Sequence, residues 1–99
     1  MSLLERENAL VLSLVQALLG APSRNFRRVG LRVEEDRVGL QVVLERESSS
    51  DRDEIEELVL AFEALQQGPI PLHVTIEVHE GRLDELETYP RGVYLRRED

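Results

Sequence analysis

FRRVGLRVEEDRVGLQVVLER, residues 26–46, decides the fold. Val29, Leu31 and Val33 alternate with other residues, and Val38, Leu40, Val42 and Leu44 do so again, the period-two pattern of strands with one buried face. A two-residue turn at Glu35-Asp36 pairs Val33 with Val38, Leu31 with Leu40 and Val29 with Val42. All six then share one face, as a half-buried antiparallel pair requires. Glu35-Asp36 is not the Asn-Gly or Asp-Gly that a primed hairpin turn favours, so a slightly longer loop is the alternative.

An apolar sheet face needs cover, and the segments on either side supply it. Ser2 with Glu5 three residues on has the form of a capping box, and Gly20 followed by Pro22 marks a stop, so a helix is predicted over about Leu3–Leu19. Leu3, Leu4, Leu10, Val11, Leu14, Val15 and Leu18 share its inner face. Glu7 falls inside that face, which implies that the first two turns overhang the core. A second helix is expected to begin at Ser50 or Asp51 and to end near Gly68, before Pro69 and Pro71, with Ile55, Leu58, Val59, Phe62 and Leu65 as its inner stripe. Leu72, Val74, Ile76 and Val78 alternate as a third strand. Residues 82–91 read as a loop with one helical turn at Leu83 and Leu86, and Gly92–Arg96 as a closing strand. The order α-β-β-α-β-β predicts a single α+β domain over residues 1–99. The expected architecture is a two-layer sandwich, with two helices on one face of a mostly antiparallel four-stranded sheet whose other face is wet.

Composition narrows the chemistry. All 12 basic residues among the 99 are Arg, 20 are Asp or Glu, and Cys is absent, for a formal net charge of -8. Without Cys there is no thiolate nucleophile or thiolate zinc site; without Lys there is no Schiff base and no P-loop lysine. No G-x-S-x-G elbow and no glycine-rich phosphate loop is present, so no catalytic residue, metal or cofactor is expected. The excess negative charge disfavours nucleic acid and anionic membrane as partners and favours a basic protein domain. The N-terminus opens on Glu5, Arg6 and Glu7, unlike a signal peptide, and the apolar run over 9–19 is too short to span a bilayer, so a cytoplasmic location is expected.

The charge is concentrated. Seven acids (Glu47, Asp51, Asp53, Glu54, Glu56, Glu57 and Glu63) face one base, Arg52, across residues 47–63, which accounts for six of the eight net charges. The helix dipole favours acids in the first turn but does not explain Glu56, Glu57 or Glu63. On a helical wheel Asp53 and Glu57 point away from the apolar stripe, Glu56 and Glu63 flank them, and Leu60 lies among them. An apolar residue ringed by carboxylates has the form of an interface anchor with a charged rim, so Asp53, Glu56, Glu57, Leu60 and Glu63 are the candidate partner-binding residues. An acidic, solvated outer helix face is the plainer reading of the same residues. Glu77, Glu80, Asp84, Glu85 and Glu87, opposed by Arg82, form a second acidic cluster.

A second candidate site lies on the third strand. His73, Thr75, Glu77 and His79 project from one face at period two, and with Tyr94 they offer an acid-base pair for a small enzyme or ligand binder. The plainer reading is a solvated face opposite Arg28, Arg32 and Arg96. A third possibility is a structural or regulatory module that self-associates through the first helix or a sheet edge, giving a monomer or weak dimer.

The succession of an N-terminal helix, a hairpin from Asn25-Phe26-Arg27 to Glu45, an acid-rich helix over 50–65, a strand over 71–78 and the tail from Tyr89-Pro90 through Gly92-Val93-Tyr94-Leu95-Arg96-Arg97-Glu98 resembles small acidic immunity proteins of bacterial contact-dependent inhibition and other polymorphic toxin systems. The resemblance spans most of the chain, and its distinctive part is the tail. It implies a cytoplasmic, non-enzymatic α+β protein that binds and neutralises a cognate toxin domain, often a nuclease with a basic cleft.

Overall fold

A computed structural model describes residues 2–98. The elements are α1 (Leu3–Leu18), β1 (Phe26–Val33), β2 (Val38–Leu44), α2 (Ser49–Ala64), β3 (Leu72–Val78), a single 3-10 turn (Leu83–Glu85) and β4 (Arg91–Leu95), in the expected order. Ser2 caps α1 with the predicted box: its hydroxyl accepts from Glu5 N–H at 3.1 Å while the Glu5 carboxylate accepts from Ser2 N–H at 3.3 Å. Gly20, at φ +81°, turns the chain out of the helix through the left-handed region that side chains avoid.

The hairpin register is the predicted one, with Val33 opposite Val38, Leu31 opposite Leu40 and Val29 opposite Val42. Glu34 N–H donates to Arg37 O across the tip at 2.9 Å, which leaves Glu35-Asp36 as the turn. No non-glycine residue among those described has a positive φ, so the turn is not of the primed I′ kind.

The sheet runs β3-β2-β1-β4 and is mixed, which corrects the mostly antiparallel expectation. β1 is antiparallel to both β2 and β4, but β3 lies parallel to β2 along its whole length. The cause is the connection: β2 leads into α2 before the chain returns, and a helical crossover sets its two flanking strands parallel. One hydrophobic cluster joins Leu10, Leu14 and Leu18 of α1 and Ile55, Leu58 and Phe62 of α2 to Val29, Leu31, Val38, Leu40, Val42 and Leu44 of the hairpin. Leu3, Leu4 and Val15, expected on the inner face of α1, are exposed. The first two turns stand off the core as expected, since Leu10 is the first buried residue of α1, and Glu7 on their inner side accepts from Arg91 at 2.9 Å.

The other sheet face is not wet. Residues 79–90 cross it as a strap, anchored by Tyr89. A Cβ added to Gly30 would stand 3.1 Å from Tyr89 Cβ, and one added to Gly39 would stand 3.3 Å from the Tyr89 ring, so the two glycines form the trough in which the tyrosine lies. Arg32 stacks over the same ring, 4.6 Å from its centroid. Gln41, fully buried, and Arg28 both donate to Glu87 O, at 2.8 and 3.0 Å. Val43 is buried outside the main cluster, on this covered face.

Candidate functional site

α2 begins at Ser49, ahead of the predicted Ser50 or Asp51, because Ser48 is its cap and accepts from Asp51 N–H at 3.2 Å. Asp51 itself turns inward, accepting from Ser23 Oγ at 2.9 Å and Asn25 Nδ2 at 2.8 Å, and so ties the helix start to the entry of β1. Asp51 is buried and has two donors to lose. Its replacement by Ala is therefore expected to cost about 1–3 kcal/mol in chemical denaturation, with the denaturant slope unchanged. Glu47 is held by Arg52 through two contacts of 2.6 and 2.8 Å, and these hydrogen bonds pull its carboxyl below the usual range. Two of the seven acids are thus structural.

The other five are not. Among the described residues no ion pair or side-chain hydrogen bond reaches Asp53, Glu54, Glu56, Glu57 or Glu63. Asp53, Glu56, Glu57 and Glu63 are exposed, and Leu60, at 66% exposure, stands among them. Asp53, Glu56, Leu60 and Glu63 follow one another at intervals of three and four residues, so they form a single stripe along the helix. Glu57 stands to one side of that stripe. With Glu54 and Ala61 it lines a shallow cleft of about 350 Å³ against the end of α1.

On the opposite flank, Glu56 and Leu60 form one wall of an open groove of about 460 Å³, with Ile55 and Val59 at its base and Val74 and Ile76 of β3 as the far wall. Sequence reasoning assigned Val59, Val74 and Ile76 to the core alone. They pack against it, but β3 is the sheet edge and α2 does not roof it completely. The alternation of β3 is the same at an edge as in the middle of a sheet, so periodicity carried no signal of this.

The second candidate site does not assemble. His79 Nε2 lies 3.0 Å from Glu85 Oε1 and 3.1 Å from Arg82 O, Glu77 accepts from Gln41 Nε2 at 2.9 Å, and His73 stands apart near Tyr89 and Arg37. Tyr94 is on the other side of the sheet. A bulge in the β1–β4 ladder sets it opposite Val29 and against the core cluster. Arg28 and Arg32 pair with Glu87 of the strap, and Arg96 with Glu45 at the end of β2 and Glu98 of the tail, instead of with β3. The second acidic cluster is also largely engaged internally, since Asp84 pairs with Arg82, Glu85 with His79 and Glu87 with Arg32. It adds little to the field of α2. Leu12 and Val15 of α1 and Leu19 at its C-cap are exposed, apolar residues outside the core.

The family model described as MafI2 immunity protein matches residues 7–98, all but the ends of the chain. The chain belongs to the MafI2 immunity protein family. Membership in the MafI2 family carries an immunity role against a toxin, in line with the resemblance drawn from the tail and the helix order. The match takes in both α2 and the strap, so what holds the fold and what faces outward on α2 fall within one MafI2 unit. A search of the curated proteins found no match. No helix among the described residues is long and apolar enough to cross a membrane.

Proposed function

We propose that this chain neutralises a cationic toxin domain by occlusion, presenting the outward face of α2 as an anionic surface with Leu60 near its centre. The observation that carries the reading is the contrast among the acids of α2 and its entry. Glu47 and Asp51 are engaged in holding the fold, while Asp53, Glu54, Glu56, Glu57 and Glu63 meet no cation among the described residues. Five like charges on one short helix repel one another, and a cationic partner relieves that repulsion on binding. Family membership makes the partner a toxin. A nuclease is the natural class, because a cleft built to hold phosphates presents the Arg and Lys side chains that carboxylates can occupy in their place.

The protein acts stoichiometrically and without turnover, in the cytoplasm where such a toxin would strike, through an interface on the order of 800 Å² per partner. The test is co-expression with the toxin domain of the cognate system, sought in the reading frames adjoining this chain's gene. Growth should be restored and a one-to-one complex recovered. Loss of growth despite abundant folded protein sinks the reading, as does rescue by a variant in which Asp53, Glu56, Glu57, Leu60 and Glu63 are all Ala.

A further inference from the structure

The groove beside Leu60 has a second property, set by the backbone of β3. His79 N–H donates to Leu44 O at 2.8 Å, and Pro71 O accepts from Val38 N–H at 2.9 Å; between them the ladder to β2 runs without a register shift. In a strand the N–H and C=O of one residue point the same way and those of the next point oppositely. His73, Thr75 and Glu77 therefore bond to β2, and Leu72, Val74, Ile76 and Val78 turn their backbone groups to the open side of the sheet. Among the described residues no backbone hydrogen bond from another element reaches that side. The residues with free backbone groups include the two, Val74 and Ile76, whose side chains wall the groove.

Sheet edges are ordinarily blunted by charge or proline along their length. Here Pro69 and Pro71 precede the strand and Glu80 follows it, and the four edge-facing positions between them are all apolar. Resting on the toxin-binding reading, we infer that the toxin docks by strand addition: an extended, basic segment of it pairs with the outer edge of β3, sinks alternate apolar side chains into the groove, and sets its Arg or Lys residues against Glu56 and Glu63. Charge selects this occupant over a second copy of the chain. Two copies paired through β3 would bring together two molecules of net charge -8, each with Glu56 at the seam. Main-chain pairing supplies the affinity in this mode, and the groove and its acidic rim supply the selection.

The experiment is residue-level amide exchange on the isotopically labelled chain, alone and saturated with the toxin domain whose lethality the chain suppresses on co-expression. The Val74 and Ile76 amides should slow by about tenfold or more in the complex, while Thr75 and Glu77, already bonded to β2, change far less. Val74→Pro, which removes an outward donor and leaves the β2 ladder intact, should abolish this protection and weaken binding, whereas Val74→Ala, which keeps the donor, should retain the alternating pattern. If Val74→Pro melts at a much lower temperature than Val74→Ala, the exchange pattern of the unaltered chain decides alone. A complex whose effects stop at Asp53, Glu56, Glu57, Leu60 and Glu63, with no slowing on β3, overturns strand addition and leaves the α2 reading standing. Absence of any complex overturns both. Slowing that grows with the concentration of the free chain assigns the edge to a second copy and overturns the basic occupant.

Discussion

Replacing Arg27 by Ala should lower stability by about 2–4 kcal/mol, a drop in melting temperature of roughly 10–30 °C for a domain of this size. Arg27 sits in the irregular start of the β1–β2 ladder, where the register shifts between Phe26 and Arg28, and its side chain is almost wholly buried. It is bidentate to Glu98, with Nε to Oε2 at 2.8 Å and Nη2 to Oε1 at 2.7 Å. Its Nη1 donates to His79 O at 2.8 Å and to Gly81 O at 2.6 Å. One side chain thus fastens the C-terminal tail and the start of the strap to the sheet. Truncation leaves both carbonyls without their donor and the tail without its anchor. Thermal unfolding followed by circular dichroism measures the loss. A shift of only a few degrees would show that strap and tail are held by other contacts.

The same clamp sets the response to acid. Hydrogen bonds from Arg27, followed by its charge, hold the Glu98 carboxyl at about 2, well below its ordinary 4.5, and Arg96 contributes in the same direction. Arg96 likewise draws Glu45 down, chiefly through its hydrogen bond. A carboxylate whose pKa is lower in the folded chain binds its proton more readily once unfolded. Its stabilisation is therefore complete above about pH 4.5 and is lost as the pH falls from there toward 2. Melts from pH 7 to pH 2 should show this decline, and Glu98→Gln should flatten it while costing about 1 kcal/mol at neutral pH, since the carboxylate is partly open to water. An equally steep decline in Glu98→Gln would move the acid sensitivity to other groups.

The distinctive tail of the sequence is where this clamp lies, and its role there was not legible in advance. The hairpin register and the box at Ser2 follow from period-two alternation and a capping pattern, both local rules, and the structure keeps them. The direction of β3 is not local. Leu72, Val74, Ile76 and Val78 alternate identically in parallel and antiparallel pairs, and only the crossover through α2 distinguishes them. The side of Tyr94 turned on one extra residue. Val29 opposes Tyr94 and Gly30 opposes Gly92, so Val93 is the inserted position and every side chain after it changes face. The strap has no period at all. Its signal was Gly30 and Gly39, two glycines in otherwise regular strands, which mark a close approach that the alternation of their neighbours concealed. At the candidate site the outward set on α2 was readable from the wheel, but the division of its acids into engaged and free was not. Asp51 meets Ser23 and Asn25, more than 25 residues away in sequence, and no helical projection contains that contact.

Reversing the charge of the free acids should have the largest effect on binding. Glu56→Lys, Glu57→Lys and Glu63→Lys together take the formal charge from -8 to -2 and place three cations around Leu60. All three residues are exposed and outside the ion pairs of the described chain, so stability should stay within about 1 kcal/mol of the unaltered protein. Association with the cognate toxin domain should slow by roughly 100-fold at low ionic strength, because attraction that steers encounter becomes repulsion. Salt separates this from a simple loss of contact: with the acids present the rate should fall as ionic strength rises, and with the lysines present it should rise or stay level, since screening then hides a repulsion. Stopped-flow mixing across a salt series reads both slopes. Parallel slopes for the two proteins would place the steering charge elsewhere, for which the acids of the strap are poor candidates, being largely paired with Arg82, His79 and Arg32.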